Sequence, residues 1–231
     1  MKKFSLVFFL AIIAITLKAQ RSKVLNDPTL DDHPIHFGFC LGLNSMDFTV
    51  KTNYQNYKTD SLIADVSKPS TGFHIQIISS YRLGEYLDLR FLPGISFGQR
   101  NLNFFKGNKL VNDRQRLESN FLEFPLLLKY KSKRLNNFRP YIISGGNFRV
   151  DLAKTFSEDD QVYLDLKPYD IYFEIGAGLD FYLPYFKFST ELKLSYGFLN
   201  MIKRRTTSVP KYQDAIESLN SSLVMLSFHF E

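Results

Sequence analysis

Residues 186–198 read FKFSTELKLSYGF and carry the clearest structural signal in the chain. Every second residue from Phe186 to Phe198 is apolar or aromatic, apart from Thr190, whereas the residues between them are charged or small. A period of two places successive side chains on opposite faces, which is the pattern of a β-strand. This strand therefore has one apolar face and one polar face.

The same alternation recurs in eight blocks. The block at 169–181 repeats it directly before the stretch above, and the other six blocks lie at 35–49, 72–82, 86–103, 119–131, 138–150 and 219–230. A tilted transmembrane strand needs about 9–11 residues, whereas strands of soluble proteins most often have about 5–6. The block lengths therefore favour strands that cross a membrane.

The connections between the blocks alternate in length. Three are short, at 83–85, 132–137 and 182–185, and the others are long and polar, at about 50–70, 104–118, 151–167 and 199–218. An even number of strands with short turns at one end and long loops at the other is typical of bacterial outer-membrane barrels. The sequence predicts an all-β fold, an eight-stranded antiparallel transmembrane outer-membrane β-barrel with both termini in the periplasm.

The alternative fold is a soluble barrel of the lipocalin type, whose apolar face lines the interior. Eight strands enclose a lumen that side chains fill easily, and the large apolar residues of the eight blocks are too many to fit inside it. The small and charged face suits the lumen better. We therefore expect the apolar face to contact lipid.

The first residues have the form of an export signal. Lys2 and Lys3 precede an uncharged, mostly apolar stretch from Phe4 to Leu17, and the small residue Ala19 follows. This is the pattern of a secretory signal peptide, and the apolar stretch is shorter than the ~20 residues of a membrane-spanning helix. The expected organisation is a signal peptide at 1–19, a periplasmic N-terminal segment at 20–34, and the barrel at 35–231.

Charge and cysteine content exclude several functions. Without residues 1–19 the chain has 26 basic and 23 acidic residues, and the basic residues are scattered. A small, scattered excess gives no footprint for nucleic acid. Cys40 is the single cysteine of the sequence, so neither an internal disulfide nor thiol exchange is supported.

Charged residues on the polar faces of five neighbouring strands form the strongest candidate site. Buried charges must be paired or hydrated, so we expect a network of both signs that fills the lumen, rather than a conducting pore. The expected network is Asp88, Arg90, Glu123, Lys129, Arg139, Arg149, Glu174, Asp180, Glu191 and Lys193.

Other motifs give weaker signals. The run from Asp31 to His36 contains two acids and two histidines, but a solvated linker explains it better than a metal site does. No Ser/His spacing typical of a hydrolase is present, and no glycine pair has the context of a nucleotide loop. We expect no catalytic residue, no metal and no cofactor, and no small-molecule substrate is identified.

A basic run lies in the last long connection, at Lys203, Arg204 and Arg205. It offers a possible contact for a partner protein or for anionic head groups, although basic runs in loops are more often simply solvated.

The sequence resembles the PorT family of Bacteroidota outer-membrane proteins. The matching stretches are IHFGFCLGLN at 35–44, FLEFPLLLKYKS at 121–132 and RPYIISGG at 139–146. The likeness covers nearly the whole exported chain, although related small barrels of the same phylum share versions of the central stretch.

The resemblance implies a role in the type IX secretion system, which moves folded cargo across the outer membrane and supports gliding in some bacteria. It brings no catalytic residues. We expect a non-enzymatic accessory barrel in contact with outer-membrane lipid and with other type IX components. The alternative is a general small outer-membrane barrel with a structural, adhesive or lipid-modifying role.

Overall fold

The computed structural model of the chain describes residues 25–52, 62–66, 70–106, 109–152, 166–203 and 216–231. The expected signal peptide at 1–19 lies outside this part of the chain. A short 3-10 turn at Leu30–Asp32 precedes the first strand. Within the described ranges, no helix is long and apolar enough to cross a membrane.

The described part of the chain is dominated by antiparallel β-strands. They are β1 (Ile35–Thr52), β2 (Leu62–Val66), β3 (Ser70–Arg82), β4 (Leu87–Phe91), β5 (Gly94–Lys106), β6 (Lys109–Lys131), β7 (Phe138–Asp151), β8 (Tyr169–Tyr182), β9 (Lys187–Gly197) and β10 (Ile216–Phe230).

These strands close into a barrel with eight strand positions. β1 pairs with β10 on one side, where Phe39 lies opposite Phe230, and with β3 on the other side. β4 and β5 share one position, because both lie between β3 and β6. They are separated at Leu92 and Pro93, and Pro93 has no N–H to donate to a strand ladder. The eight-stranded antiparallel barrel is confirmed.

The two faces of each strand are divided as the alternation predicts. In β9 the side chains of Lys187, Glu191 and Lys193 are buried inside the barrel, whereas Leu192 and Leu194 are more than half exposed on its outer surface. The outer surface carries large apolar side chains on all eight strand positions. The register enforces this division, because a slip by one residue would move every charge to the outer face.

Two predicted connections contain strands instead. The sequence predicts a long polar link at 104–118, but β5 continues to Lys106 and β6 begins at Lys109. The two strands therefore form a hairpin. This hairpin extends past Asp151, the last residue of β7 that pairs with β6. β2 lies within the link expected at 50–70 and pairs with the end of β5.

Parts of the last two long connections meet at the same end of the barrel. Leu166 and Ile202 form an isolated β-bridge, and the Lys167 and Met201 backbones are joined by a hydrogen bond of 2.8 Å. Leu166, Met201 and Ile202 are buried, as are Ile216 and Leu219 at the start of β10. Five apolar side chains of the described residues are therefore buried at this end.

The described part of the N-terminal segment lies against the barrel. Residues 25–34 pack on the barrel end that holds the short turns, where Asn26 donates hydrogen bonds of 2.9 Å to Asn137 and to the carbonyl of Tyr182.

Candidate functional site: the charged lumen

All ten residues of the expected network point into the lumen. Each of the ten residues is at most 9% exposed. They come from β4, β6, β7, β8 and β9, and the inward alternation of each strand brings them together.

Glu174 on β8 is the centre of one group. Its carboxylate accepts hydrogen bonds from Arg149 at 3.0 Å, Asn147 at 2.7 Å and Ser195 at 2.8 Å, and its second oxygen lies 2.9 Å from Lys193 Nζ. Two buried cations therefore contact one carboxylate. In a medium of low dielectric such contacts are strong, and their loss is costly.

Glu123 on β6 extends this group across the barrel. Arg149 Nε lies 3.3 Å from Glu123 Oε1, and Gln76 Nε2 donates a hydrogen bond of 2.9 Å to Glu123 Oε2. Arg149 thus lies between two carboxylates, with its guanidinium 4.4 Å from the centre of the Tyr172 ring. The central group joins strands β3, β6, β7, β8 and β9.

A second group lies nearer the short turns. Lys129 Nζ lies 2.8 Å and 2.7 Å from the two oxygens of Asp180, which also accepts a hydrogen bond of 2.6 Å from Ser189. Asp88 pairs with Lys131 at 2.7 Å. The acids and bases of this group also neutralise one another in place.

Arg90, Arg139 and Glu191 have partners outside the expected ten. Arg90 pairs with Glu231, and Lys187 Nζ lies 2.6 Å from the second oxygen of Glu231. Glu191 accepts a hydrogen bond of 2.9 Å from the Tyr141 hydroxyl. Arg139 pairs with Asp31 of the N-terminal segment at 3.3 Å.

Sequence reasoning therefore missed part of the network. The additional buried charges that pair inside the barrel are Arg100, Lys131, Asp151, Lys187 and Glu231. A strand signal existed for each of these five residues, since all of them continue the inward parity of their strands. Lys131, for example, lies two residues after Lys129.

Apolar side chains separate the charged groups along the barrel. On β6, Leu127 lies between Lys129 and Glu123, and it packs in a buried cluster with Ile78, Leu92 and Ile143. A second cluster joins Met46, Phe121, Tyr172 and Leu223 nearer the long loops. The lumen is thus a packed interior of alternating charged and apolar groups.

The mid-strand glycines allow close packing inside the wall. A Cβ added to Gly178 would lie 2.4 Å from Cζ of the Tyr141 ring, and one added to Gly145 would lie 2.3 Å from the Leu126 carbonyl oxygen. Gly146, which faces outward, has room for a Cβ, with the nearest atom 3.9 Å away. Close packing explains Gly145 and Gly178 without any nucleotide.

A Ser–His contact exists in the lumen, although the sequence contains no motif that predicts it. His74 Nε2 lies 3.0 Å from Ser227 Oγ and 3.8 Å from Cys40 Sγ. All three residues are at most 1% exposed, and His74 Nδ1 has no hydrogen-bond partner among the described residues. A catalytic pair needs access for substrate and a third group that orients the base, so these contacts are better explained as packing.

The weaker candidates are distributed as follows. Asp31 contacts the barrel end, as described above, and the described residues contain no group of three or more His, Cys, Asp or Glu that could hold a metal ion. Lys203 follows the buried Ile202 at the end with the long loops, whereas Arg204 and Arg205 lie outside the described residues.

Comparison with solved structures returns bacterial proteins at low sequence identity. Neisserial surface protein A is 9% identical, with 85% of this chain and 98% of that chain covered and a TM-score of 0.41. Ail, the attachment invasion locus protein of Yersinia pestis, is 12% identical, with 84% and 96% covered and a TM-score of 0.37. A search of curated proteins gives no match.

A protein-family comparison identifies the chain more directly. The family described as outer membrane protein beta-barrel domain matches residues 18–203, which is most of the sequence. The match includes the expected strand blocks from 35–49 to 186–198, and the closed antiparallel barrel is the fold that this family name describes. The chain therefore belongs to the outer membrane protein β-barrel domain family.

Proposed function

We propose that this protein is a non-enzymatic accessory barrel of the type IX secretion system, acting through its ends rather than through its lumen. The observation that carries the proposal is the packed lumen, in which Arg149, Glu174 and Lys193 are fully buried and paired. A barrel of eight strands filled in this way has no room for a folded cargo protein.

The resemblance to the PorT family supports the choice of system. The stretches 35–44, 121–132 and 139–146 that carry it lie on β1, β6 and β7. Two of them include inward charges of the lumen, namely Glu123 and Lys129 on β6 and Arg139 on β7. The resemblance therefore concerns the barrel itself.

In the proposed orientation both termini and the short turns face the periplasm, and the long loops face outward. Two regions are then available to other components. One is the outward loop with Lys203, Arg204 and Arg205, and the other is the N-terminal segment on the periplasmic end. Lipid covers the apolar outer surface between them.

A general small outer-membrane barrel with a structural, adhesive or lipid-modifying role is the second candidate. The burial of Leu166, Met201 and Ile202 favours it, because buried side chains and the bridge between Leu166 and Ile202 give the loop end a fixed shape on which a surface ligand could bind. The first candidate predicts that type IX secretion requires this protein, whereas the second does not.

Deletion of the gene distinguishes them. We expect type IX cargo to accumulate in the periplasm of the deletion strain while the levels of other outer-membrane proteins stay normal, because an accessory barrel serves one pathway. Cargo in periplasmic and culture fractions is measured by immunoblot, with a strain complemented by the full-length gene as the control. Normal cargo secretion in the deletion strain would end the type IX proposal and leave the general barrel.

A further inference from the structure

Residues 25–34 cross the end of the barrel that carries the short turns, and we call them the strap. At one side Asn26 is bonded to Asn137 and to the carbonyl of Tyr182, between β7 and β8. At the other side the Pro34 carbonyl accepts a hydrogen bond of 2.9 Å from the Arg82 backbone at the end of β3. β3 and β8 lie four positions apart in the ring of eight, so the strap spans the opening.

The carboxylate of Asp31 links the strap to two side chains of the barrel. The Tyr182 hydroxyl lies 3.0 Å from both carboxylate oxygens of Asp31, which share its one hydrogen, and Asp31 pairs with Arg139 at 3.3 Å. Arg82 donates to the backbone carbonyl of Asp31. Asp31 therefore lies in a pocket of cationic and hydroxyl donors.

Arg134 lies beside this pocket and holds the backbone of the strap. Its guanidinium donates to the backbone carbonyls of Asn26 and Asp27 and stacks on the Tyr182 ring, 3.6 Å from the ring centre. Arg139 and Tyr182 contact the Asp31 carboxylate itself, and we call these two residues the carboxylate cup. A planar guanidinium beside a hydroxyl donor is a strong arrangement for binding a carboxylate.

The charges around the cup explain why a carboxylate must neutralise Arg139. The neighbouring cations Lys131 and Lys187 already pair with Asp88 and Glu231. In the described part of the chain, Asp31 is the ion-pair partner of Arg139. Without the Asp31 carboxylate, Arg139 would keep its charge in a site where its side chain is only 10% exposed, which is costly.

The strap itself is held mainly by polar contacts. Its described residues form no strand pairing with the barrel, and Leu25, Asp27, Pro28 and Thr29 are exposed. Segments with few buried apolar contacts open at much lower free energy than the sheets they cover. The strap can therefore leave the barrel without unfolding it.

We propose that the carboxylate cup is a binding site for an acidic segment of a partner protein, and that Asp31 occupies it as an internal ligand until the partner displaces the strap. Displacement exchanges one carboxylate for another in the same donor set, so the cup stays neutralised throughout. It also frees the chain before Pro34. This inference extends the proposed function by naming a periplasmic contact, but its test uses purified protein and does not depend on secretion.

The first part of the test compares two strap variants of the full-length chain in detergent micelles. Asp31→Asn removes the charge in the cup, whereas Asp27→Asn changes an exposed acid of the same strap, whose side chain accepts a hydrogen bond of 3.4 Å from the Thr29 hydroxyl. We expect hydrogen exchange of the strap amides to accelerate about tenfold to a hundredfold in Asp31→Asn, as the loss of charged hydrogen bonds implies, and to stay unchanged in Asp27→Asn. Equal protection in both variants would overturn the proposal.

The second part asks whether the cup binds a carboxylate supplied from outside. The probe is a fluorescent synthetic peptide with the sequence of residues 25–34, added to the Asp31→Asn chain and followed by anisotropy. We expect saturable binding that weakens at least tenfold when the peptide carries the Asp31→Asn change, or when the chain also carries Arg139→Gln. Absence of binding, or binding that neither change weakens, would overturn the proposal and show that Asp31 is only a structural contact within the chain.

Discussion

Replacing Glu174 by glutamine is expected to lower the free energy of unfolding by about 3–5 kcal/mol, the usual cost of removing one partner of a buried ion pair. Lys193 loses the carboxylate that it contacts, whereas Arg149 keeps Glu123. The substitution keeps the shape of the side chain and can still accept hydrogen bonds from Asn147 and Ser195. It removes the negative charge that both Arg149 and Lys193 contact at about 3 Å. The loss therefore reports on charge pairing rather than on packing.

Stability is measured by urea unfolding in phospholipid vesicles, followed by circular dichroism and by the shift of the folded barrel on unheated gels. Tryptophan fluorescence is not an option, because the sequence contains no Trp. Glu217→Gln is the matched control, since Glu217 is an exposed glutamate on β10. If both variants unfold at the same urea concentration, the buried charges are not the stabilising network described above.

Replacing Leu192 by arginine is expected to cost about 2–4 kcal/mol, because this side chain lies on the apolar outer face and an arginine near the middle of a bilayer is poorly solvated. Leu192 is 54% exposed in the protein alone, so the arginine would clash with nothing inside the barrel. The cost would come from lipid.

Thr49→Arg supplies the comparison. Thr49 also faces outward and is exposed, but it lies on β1 beyond Leu43, where the outward residues Ser45 and Asp47 are polar. We expect a cost of about 0–1 kcal/mol there, as for positions near the interface. The same urea titration in vesicles measures both variants. An equal cost at Thr49 and at Leu192 would mean that the part of the outer surface in contact with lipid has been placed at the wrong height along the barrel.

Most of the barrel wall could be predicted from local sequence. The alternation at 186–198 determines both the strand and its faces, because a period of two has one geometric meaning and the charges of Lys187, Glu191 and Lys193 cannot face lipid. The same reasoning placed all ten expected charges in the lumen. Their inward direction depends only on parity within a strand.

Pairing partners could not be predicted in the same way. Which acid meets which base depends on the register and tilt of strands that are far apart in sequence, as for Lys129 and Asp180, which are 51 residues apart. The partner of Arg139 lies 108 residues away, in a segment whose composition suggests no structure. Contacts of this kind depend on the closed ring.

The hairpin of β5 and β6 was missed for a different reason. Charged residues between 104 and 118 obscure the alternation, so the composition of this stretch predicts a loop. The dipeptide Gly107-Asn108 between Lys106 and Lys109 is a known sequence signal for a two-residue hairpin connection and supported the correct answer. Polar composition alone does not exclude a strand outside the membrane.

The central claim, that the lumen is a packed interior and not a path, is tested most directly by conductance across a planar lipid bilayer. Vesicles in which the folded protein has been verified by its gel shift are fused to the bilayer at high salt, and the current is recorded at both polarities. We expect no stepwise rise in current, because Glu174, Arg149 and Lys193 fill the cross-section with paired side chains. Uniform current steps that accompany each insertion would contradict it.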